Sequence, residues 1–325
     1  MKAIVQDRYG SSDVLEFKEV DRPAPADGEV LVRVRAASVN ARDWHIMRGD
    51  PYVARLAFGL TRPRQPIQGS DFAGVVEAVG TGVTRLRPGD EVYGEAGGGA
   101  FAEYVCAPQG VVGPKPAGLT FEQAAAVPLA GNTALMGLRD LGRLQPGQHV
   151  LVNGASGGVG TFAVQIAKAL GAEVTGVCST RNVDLVRSLG ADHVVDYKQE
   201  DFTRTGLRYD LVLDLVGNRT LADQRRALTP TGCLVLSGGG VSEGGSLFGP
   251  MGLLIRGTLM SRFGNLRIHV LTAKPSADNL AALRELVERG AVTPAVDRAY
   301  PLSEGAEAIR YLEVEHASAK VVITC

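Results

Sequence analysis

VLVNGASGGVGTFAVQIAKALGA, residues 150–172, reads as a buried strand, a glycine-rich turn and an amphipathic helix. Gly154, Gly157, Gly158 and Gly160 lie in the turn. Against the pattern G-x-G-x-x-G, Ala155 takes the place of the first glycine, while Gly157 and Gly160 keep the second and third. The second place lets the backbone approach a pyrophosphate and the third lets the helix pack closely on its strand. The helix N-terminus adds free N–H groups and partial positive charge. Ser156, Gly157, Gly158, Val159 and Gly160 are therefore the expected pyrophosphate-binding residues of a dinucleotide fold. The alternative is a glycine-rich turn that binds nothing, and the flanking strand and helix weigh against it.

Downstream, the apolar runs EVTGVC (173–178), HVV (193–195), LVLDL (211–215), CLVLS (233–237) and IHVLT (268–272) are separated by helical segments. With HVLVN (149–153) they make six short strands with helical crossovers, which fit a parallel, doubly wound sheet; an order 3-2-1-4-5-6 would bring the third strand's end to the adenosine side. At the end of the second strand, a cofactor with a free ribose 2′-hydroxyl asks for Asp or Glu. The chain offers Cys178-Ser179-Thr180-Arg181-Asn182 there. Two hydroxyls and a guanidinium suit a 2′-phosphate, which a carboxylate would repel, so Ser179, Thr180 and Arg181 favour NADPH over NADH. The other reading of Arg181 is a solvated residue at a helix start. Tyr197 follows the third strand and either covers the phosphate or adenine or caps the sheet edge.

Upstream, the first 120 residues read as short strands: AIVQ, LEFKEV, EVLVRVRAASV, DFAGVVEAVG, DEVYGE and FAEYVCAP, each bounded by turn residues. TFEQAAAVPLAGNTALMGLRDL (120–141) has helical spacing, as does SADNLAALRELVERG (276–290), and VVIT (321–324) closes the chain as a strand. That tail is too short for its own domain and is expected to dock on the N-terminal β domain. A chain of 325 residues exceeds what one core usually supports. We expect residues 1–121 and 273–325 in one domain and 122–272 in a second, inserted one. With 34 Lys plus Arg against 35 Asp plus Glu, the sequence carries no footprint for nucleic acid or an anionic membrane. The N-terminus lacks a leader pattern and no apolar run makes a convincing span, so a cytoplasmic protein is expected. Cys106, Cys178, Cys233 and Cys325 are too widely spaced for a C-x-x-C pattern and read as reduced thiols.

SVNARDWHIMRGD (38–50), PIQGSDFAGVVEAVGTGVTRLRPGDEVYG (66–94), LAGNTALMGL (129–138), NGASGGVG (153–160), LDLVGN (213–218) and the terminal AKVVI share one order and spacing. In that ordered combination, over essentially the whole chain, the sequence resembles the quinone oxidoreductase branch of the medium-chain dehydrogenases/reductases. The resemblance implies a GroES-like catalytic domain, an inserted Rossmann domain and commonly a homodimer. By position it implies Asn40 beside the nicotinamide, Thr133 near the cofactor, and Gly157–Gly160 on the pyrophosphate. Ser179, Arg181 and Tyr197 would face the 2′-phosphate. Val216, Gly217 and the run Ser237, Gly238, Gly239 would line the cofactor channel, and Lys320 would close the site from the catalytic domain. Ala319 stands where the family tail usually has Gly.

Zinc-dependent relatives carry a Cys where this sequence has Asn40, a His-Glu pair where it has Ser70-Asp71, and a lobe with four cysteines where 94–108 holds Cys106 alone. Neither a catalytic nor a structural zinc set is legible, and His45, His149, His193, His269 and His316 are scattered. No metal is expected. Without a metal to stabilise an alkoxide, the favoured reaction is hydride transfer from NADPH to a quinone or the β-carbon of an α,β-unsaturated carbonyl. Proximity and stabilisation of the developing oxyanion would carry the rate, with Asn40 and Tyr52 as hydrogen-bond donors. Asn40 could equally orient the nicotinamide ribose or fix a turn, and Tyr52 could only line the pocket. The alternatives are an enoyl-thioester reductase, which uses the same hydride chemistry, and a cofactor-binding protein with little turnover.

Overall fold

The computed structural model describes residues 1–237, 252, 257, 267–315 and 317–325; Gly238, Gly239 and His316 lie outside them. The chain forms two compact units. One comprises Met1–Asn132, Lys274–Glu288 and Pro294–Cys325, the other Thr133–Ala273 and Arg289–Thr293.

In the first unit the strand Glu29–Val39 is central. It pairs antiparallel with Asp71–Val79 on one side and, along its other edge, with both Tyr104–Pro108 and the C-terminal strand Lys320–Thr324. Glu91–Glu95 and Val112–Pro114 extend the sheet beyond Asp71–Val79, and Val296–Pro301 extends it in parallel beyond the C-terminal strand. The expected docking of the tail is thus a strand pairing, Val321 opposite Val39. Val32, Val34, Phe72, Val92, Phe101, Ile309, Val321 and Ile323 fill its core. Each large side chain buried there contributes about 2–3 kcal/mol. Val296–Pro301 carries no periodic signal because it is an edge strand whose only fully buried residue is Tyr300.

The polypeptide leaves this unit after Asn132 and returns at Lys274. The two ends are clasped: Asn132 Nδ2 donates to the Lys274 carbonyl at 2.8 Å, and Asn279 Nδ2 donates to Asn132 Oδ1 at 2.8 Å. Asn279 sits in the helix Ala277–Glu288, which the unit also holds by a bond from the Tyr93 hydroxyl to the Leu280 carbonyl at 2.6 Å.

The second unit is a six-stranded parallel sheet. Its order is His193–Asp196, Glu173–Cys178, His149–Asn153, Tyr209–Asp214, Leu228–Leu236 and Arg267–Val270, or 3-2-1-4-5-6. Strand order reverses between the first and fourth strands, so the loops after them face each other at the carboxyl edge, where such sheets bind ligands. The run 120–141, helical by its spacing, divides into Phe121–Ala125, Pro128–Leu135 and a π-helical turn over Met136–Leu141, with Pro128 opening its segment. Among the described residues no helix is long and apolar enough to cross a membrane.

Candidate functional site

In the second unit the strand His149–Asn153 turns through Gly154, at φ +91°, into the helix Gly158–Ala169, with Gly157 at its N-cap. A Cβ on Gly160 would stand 2.1 Å from the Gly154 carbonyl oxygen and 2.7 Å from Ala155 Cα, so the helix touches the turn where only glycine fits. A Cβ on Gly157 would meet nothing nearer than that same oxygen at 3.5 Å, so its outer side is open. No side chain caps the helix, and the first N–H groups of a helix have no partner within it. Ala155 is tolerated in place of glycine because Gly176 faces it from the second strand: a Cβ on Gly176 would come to 3.0 Å of the Ala155 methyl.

Val216 and Gly217 close the other side. Asp214, at the end of the fourth strand, accepts at Oδ1 from Val216 N at 3.1 Å, Gly217 N at 2.9 Å and Asn153 Nδ2 at 2.8 Å. Its Oδ2 accepts from Gln224 Nε2 at 2.8 Å, which completes a buried anchor for the turn. Val216 Cγ2 lies where a Cβ on Gly154 would come within 2.8 Å of it, so the two turns touch. Ser237 N donates to the Asp214 carbonyl, which brings the fifth strand's end to the same edge. Thr133 is buried in the helix Pro128–Leu135.

At the second strand's end, Asn182 Nδ2 donates to Ser156 Oγ at 3.0 Å and to Ser179 Oγ at 3.4 Å, tying the glycine turn to the expected 2′-phosphate residues. Arg181 and Tyr197 are exposed beside them, and Tyr197 N donates to the Cys178 carbonyl. One neighbour runs against the sequence argument. Thr180 Oγ1 donates to Asp196 Oδ2 at 2.6 Å, a bond that, with other donors, holds the Asp196 carboxyl below the usual range. A carboxylate therefore shares this edge with Arg181.

Asn40, Tyr52 and Lys320 belong to the first unit. Asn40, extended at φ −126°, links the central strand to the helix Ala41–Arg48. Its buried amide lies between two charges. Lys320 Nζ donates to Asn40 Oδ1 at 2.6 Å and to the Val39 carbonyl at 3.2 Å, and lies 3.8 Å from Asp71 Oδ2. Asn40 Nδ2 donates to Asp71 Oδ2 at 3.1 Å and to the Ser38 carbonyl at 3.3 Å. An ammonium can only donate, so the amide oxygen must face Lys320 and the nitrogen Asp71. Both amide hydrogens are then engaged. What Asn40 has left for a ligand is the second lone pair of Oδ1, an acceptor, where the sequence led us to expect a donor.

Asp71 accepts further bonds from Ser38 Oγ at 3.2 Å and Leu129 N at 3.2 Å. Burial pushes its carboxyl up while Lys320 and these donors pull it down; burial likewise pushes the Lys320 amine below its ordinary value. Two more buried carboxyls adjoin them. Asp43 Oδ2 accepts from Asn40 N at 2.7 Å, and Glu95 Oε1 accepts from Arg42 Nη1 at 3.1 Å. Desolvation raises Asp43 to about 7 and Glu95 to about 8. Ala319 takes φ +63°, which explains why glycine suits that position: the left-handed backbone aims Lys320 inward at a cost of about 1 kcal/mol for a residue with a side chain. Tyr52 lies on a 3-10 turn, exposed, its ring under the Arg55 guanidinium at 4.6 Å. Trp44 stacks on His45 and packs against the core. Among the described residues no group of three His, Cys, Asp or Glu side chains is arranged to hold a metal ion.

Two family models match, the alcohol dehydrogenase GroES-like domain over residues 26–117 and zinc-binding dehydrogenase over 189–323. The chloroplastic quinone-oxidoreductase QR1 of Triphysaria versicolor is 31% identical over 341 residues, covering 99% of this chain and 98% of that protein. The chain belongs to the medium-chain dehydrogenase/reductase superfamily, among its quinone-oxidoreductase-type members. Another relative of this superfamily, the chloroplastic NADPH-dependent alkenal/one oxidoreductase of Arabidopsis thaliana, is 33% identical, covering 99% of this chain and 79% of that one. Among solved structures, the quinone oxidoreductase of Coxiella burnetii superposes with a TM-score of 0.87 at 32% identity, covering 100% of this chain and 99% of that one.

The polar cluster of the first unit was the part that sequence reading missed. Asp43 and Glu95 carry no role in that reading, and Asp71 enters it only with Ser70, where zinc-dependent relatives have a His-Glu pair. The available signal was pairwise: strand pairing places Asp71 opposite both Ser38 and Glu95. Asn182 and Asp214, which bind the cradle loops to each other, were also missed as functional positions.

Proposed function

We propose that this medium-chain dehydrogenase/reductase is an NADPH-dependent, zinc-independent reductase of quinones or α,β-unsaturated carbonyls. The observation that carries the reading is the cradle at Gly154–Gly160, where the turn and helix meet at a contact only glycine allows and the helix N-terminus stays uncapped. The names of its relatives, quinone and alkenal/one oxidoreductases, support the reaction class.

When bound, the dinucleotide would supply the hydride. The chain's own residues would bind and orient. Backbone N–H groups of Gly158, Val159 and Gly160 would meet the pyrophosphate; Val216 and Gly217, held by Asp214, would wall the channel; Arg181, with Ser179, Thr180 and Tyr197, would take the 2′-phosphate. The remaining Oδ1 lone pair of Asn40 would accept from a ribose hydroxyl, and the Tyr52 hydroxyl would donate to the acceptor's oxygen as charge develops. Zinc is poorly served here. The position of a family ligand is an amide whose oxygen already faces an ammonium at 2.6 Å, and that ammonium neutralises the neighbouring Asp71. In the quinone case, the hydride and one proton together give the hydroquinone.

The test is a fluorescence titration with NADPH and NADH, then loss of reduced-cofactor absorbance with a panel of quinones and enones, with and without chelator. NADPH is expected to bind more tightly, with turnover insensitive to chelator. Arg181→Ala is expected to weaken NADPH about 10-fold and leave NADH unchanged, the worth of one charge-assisted bond at a solvated site. Because Asp196 opposes the phosphate, Asp196→Asn is expected to tighten NADPH. Tighter NADH binding by the unaltered protein would remove the role given to Ser179 and Arg181. Stable binding with no turnover on any acceptor would move the weight to a carrier-bound enoyl substrate or a non-catalytic role.

A further inference from the structure

The charges buried around Asn40 do not balance. Asp43, Asp71 and Glu95 face Lys320 and Arg42, so with every group ionised the cluster carries one uncompensated negative charge. Asp43, Asp71, Glu95 and Lys320 are all at most 3% exposed. An unpaired buried charge is costly, and the usual relief is to take up a proton. Its location follows from the hydrogen bonds. Asp71 accepts from Ser38, Asn40 and Leu129 and lies beside Lys320, so it is the best supported carboxylate. Asp43 stands in the first turn of the helix Ala41–Arg48, where the helix dipole favours negative charge, and accepts the Asn40 N–H. Glu95 has one oxygen on Arg42; the other, Oε2, is fully buried and has no partner. A carboxylate oxygen stranded in that way is worse placed than a hydroxyl.

We propose that Glu95 is a proton-carrying positioning residue: at neutral pH its carboxyl stays protonated, leaving Lys320 and Asp71 as the charge pair that fixes the Asn40 amide in one orientation. The groups facing Glu95 are Asp71 on the neighbouring strand, Arg42 and Asp43 on the helix after Asn40, and Lys320 on the C-terminal strand. Ionised Glu95 would compete with Asn40 for the Lys320 ammonium and repel Asp71. A recess lined by Arg42, Asp43, Gln68, Ser70, Gly97 and Gly98 reaches the cluster from outside, and Ser70 Oγ, buried and without a partner, lies on its wall. Water entering it would give the proton a route to solvent. The functional meaning rests on Asn40 holding the cofactor, but the protonation state does not.

The test is infrared difference spectroscopy on the full-length protein without substrate. At pH 7 the unaltered protein minus Glu95→Gln should show the carbonyl stretch of a buried, protonated carboxylic acid. That band should titrate away near pH 8, the raised value of Glu95. Asp43→Asn should retain it. No such band at pH 7 overturns the proposal, as does a band lost in Asp43→Asn and kept in Glu95→Gln. Should Glu95→Gln fail to fold, Asp43→Asn still decides through stability against pH, because it removes the carboxyl that desolvation raises to about 7. A carboxyl whose folded value lies near 8 and whose ordinary value is 4.5 holds a proton that the unfolded chain has lost between those limits. Stability must therefore be fullest near the lower limit, fall as pH rises toward 8 and level off above it. A midpoint of unfolding in Asp43→Asn that rises between pH 7 and 8, above the ordinary histidine value of 6.5, rejects the assignment.

Discussion

Gly160→Ala is expected to weaken dinucleotide binding at least about 100-fold, close to 3 kcal/mol at 1.4 kcal/mol per decade. The added methyl would come to 2.1 Å of the Gly154 carbonyl oxygen and 2.7 Å of Ala155 Cα and carbonyl carbon. All three are backbone atoms, so no rotamer change relieves the clash; the turn must move away from the helix, and the N–H groups that would meet the pyrophosphate move with it. Gly157→Ala is the matched control. Its methyl has ordinary contact at 3.5 Å, so the unfolding midpoint should stay where it is while binding weakens, because the new atom stands on the open side of the turn. Fluorescence titration of both variants, with thermal unfolding alongside, separates the two effects. Equal binding by Gly160→Ala and the unaltered protein would refute the cradle.

Lys320→Met should destabilise the first unit by about 3–5 kcal/mol, the usual cost of removing one partner from a buried ion pair. The methionine fills much of the same volume, but Asp71 then keeps only its Ser38, Asn40 and Leu129 bonds, and Asn40 Oδ1 loses its 2.6 Å donor. Adding Asp71→Asn should recover a good part of the loss, because the stranded charge and not the missing contact is the larger cost. The measurement is denaturant unfolding of the two single variants and the double. A double variant less stable than Lys320→Met would mean that Asp71 is not held by Lys320.

The second unit was largely legible in the sequence, and the physics explains why. Parallel strands buried on both faces are continuous apolar runs, so 149–153, 173–178 and 193–195 stand out. The glycine turn was legible because its geometry tolerates few residue types. What could not be read was polar chemistry assembled from distant segments. Asp71 begins one strand, Glu95 ends the next, Asp43 lies in a helix and Lys320 is 280 residues downstream of Asn40. Each taken alone is an ordinary polar residue near an element boundary. Only the pairing of three strands turns them inward. Asn40 shows the same limit at one residue: its position was readable, but which end of the amide remains available depends on the neighbours that engage it. Asp196 ends the third strand, and its bond to Thr180, and hence its charge beside Arg181, emerges only from the strand pairing.

The clasp between Asn132 and Lys274 has a bearing on how such a chain could be cut and rejoined. Two points of the polypeptide that lie 142 residues apart in sequence are joined by one hydrogen bond, with Asn279 buttressing the same amide. Everything between them is, for the first unit, a loop already closed at its base. Replacing that loop by a short glycine-serine bridge, or by a foreign module whose own termini lie side by side, asks for no rearrangement of the strands that remain. A grafting experiment would treat Asn132 and Lys274 as a socket.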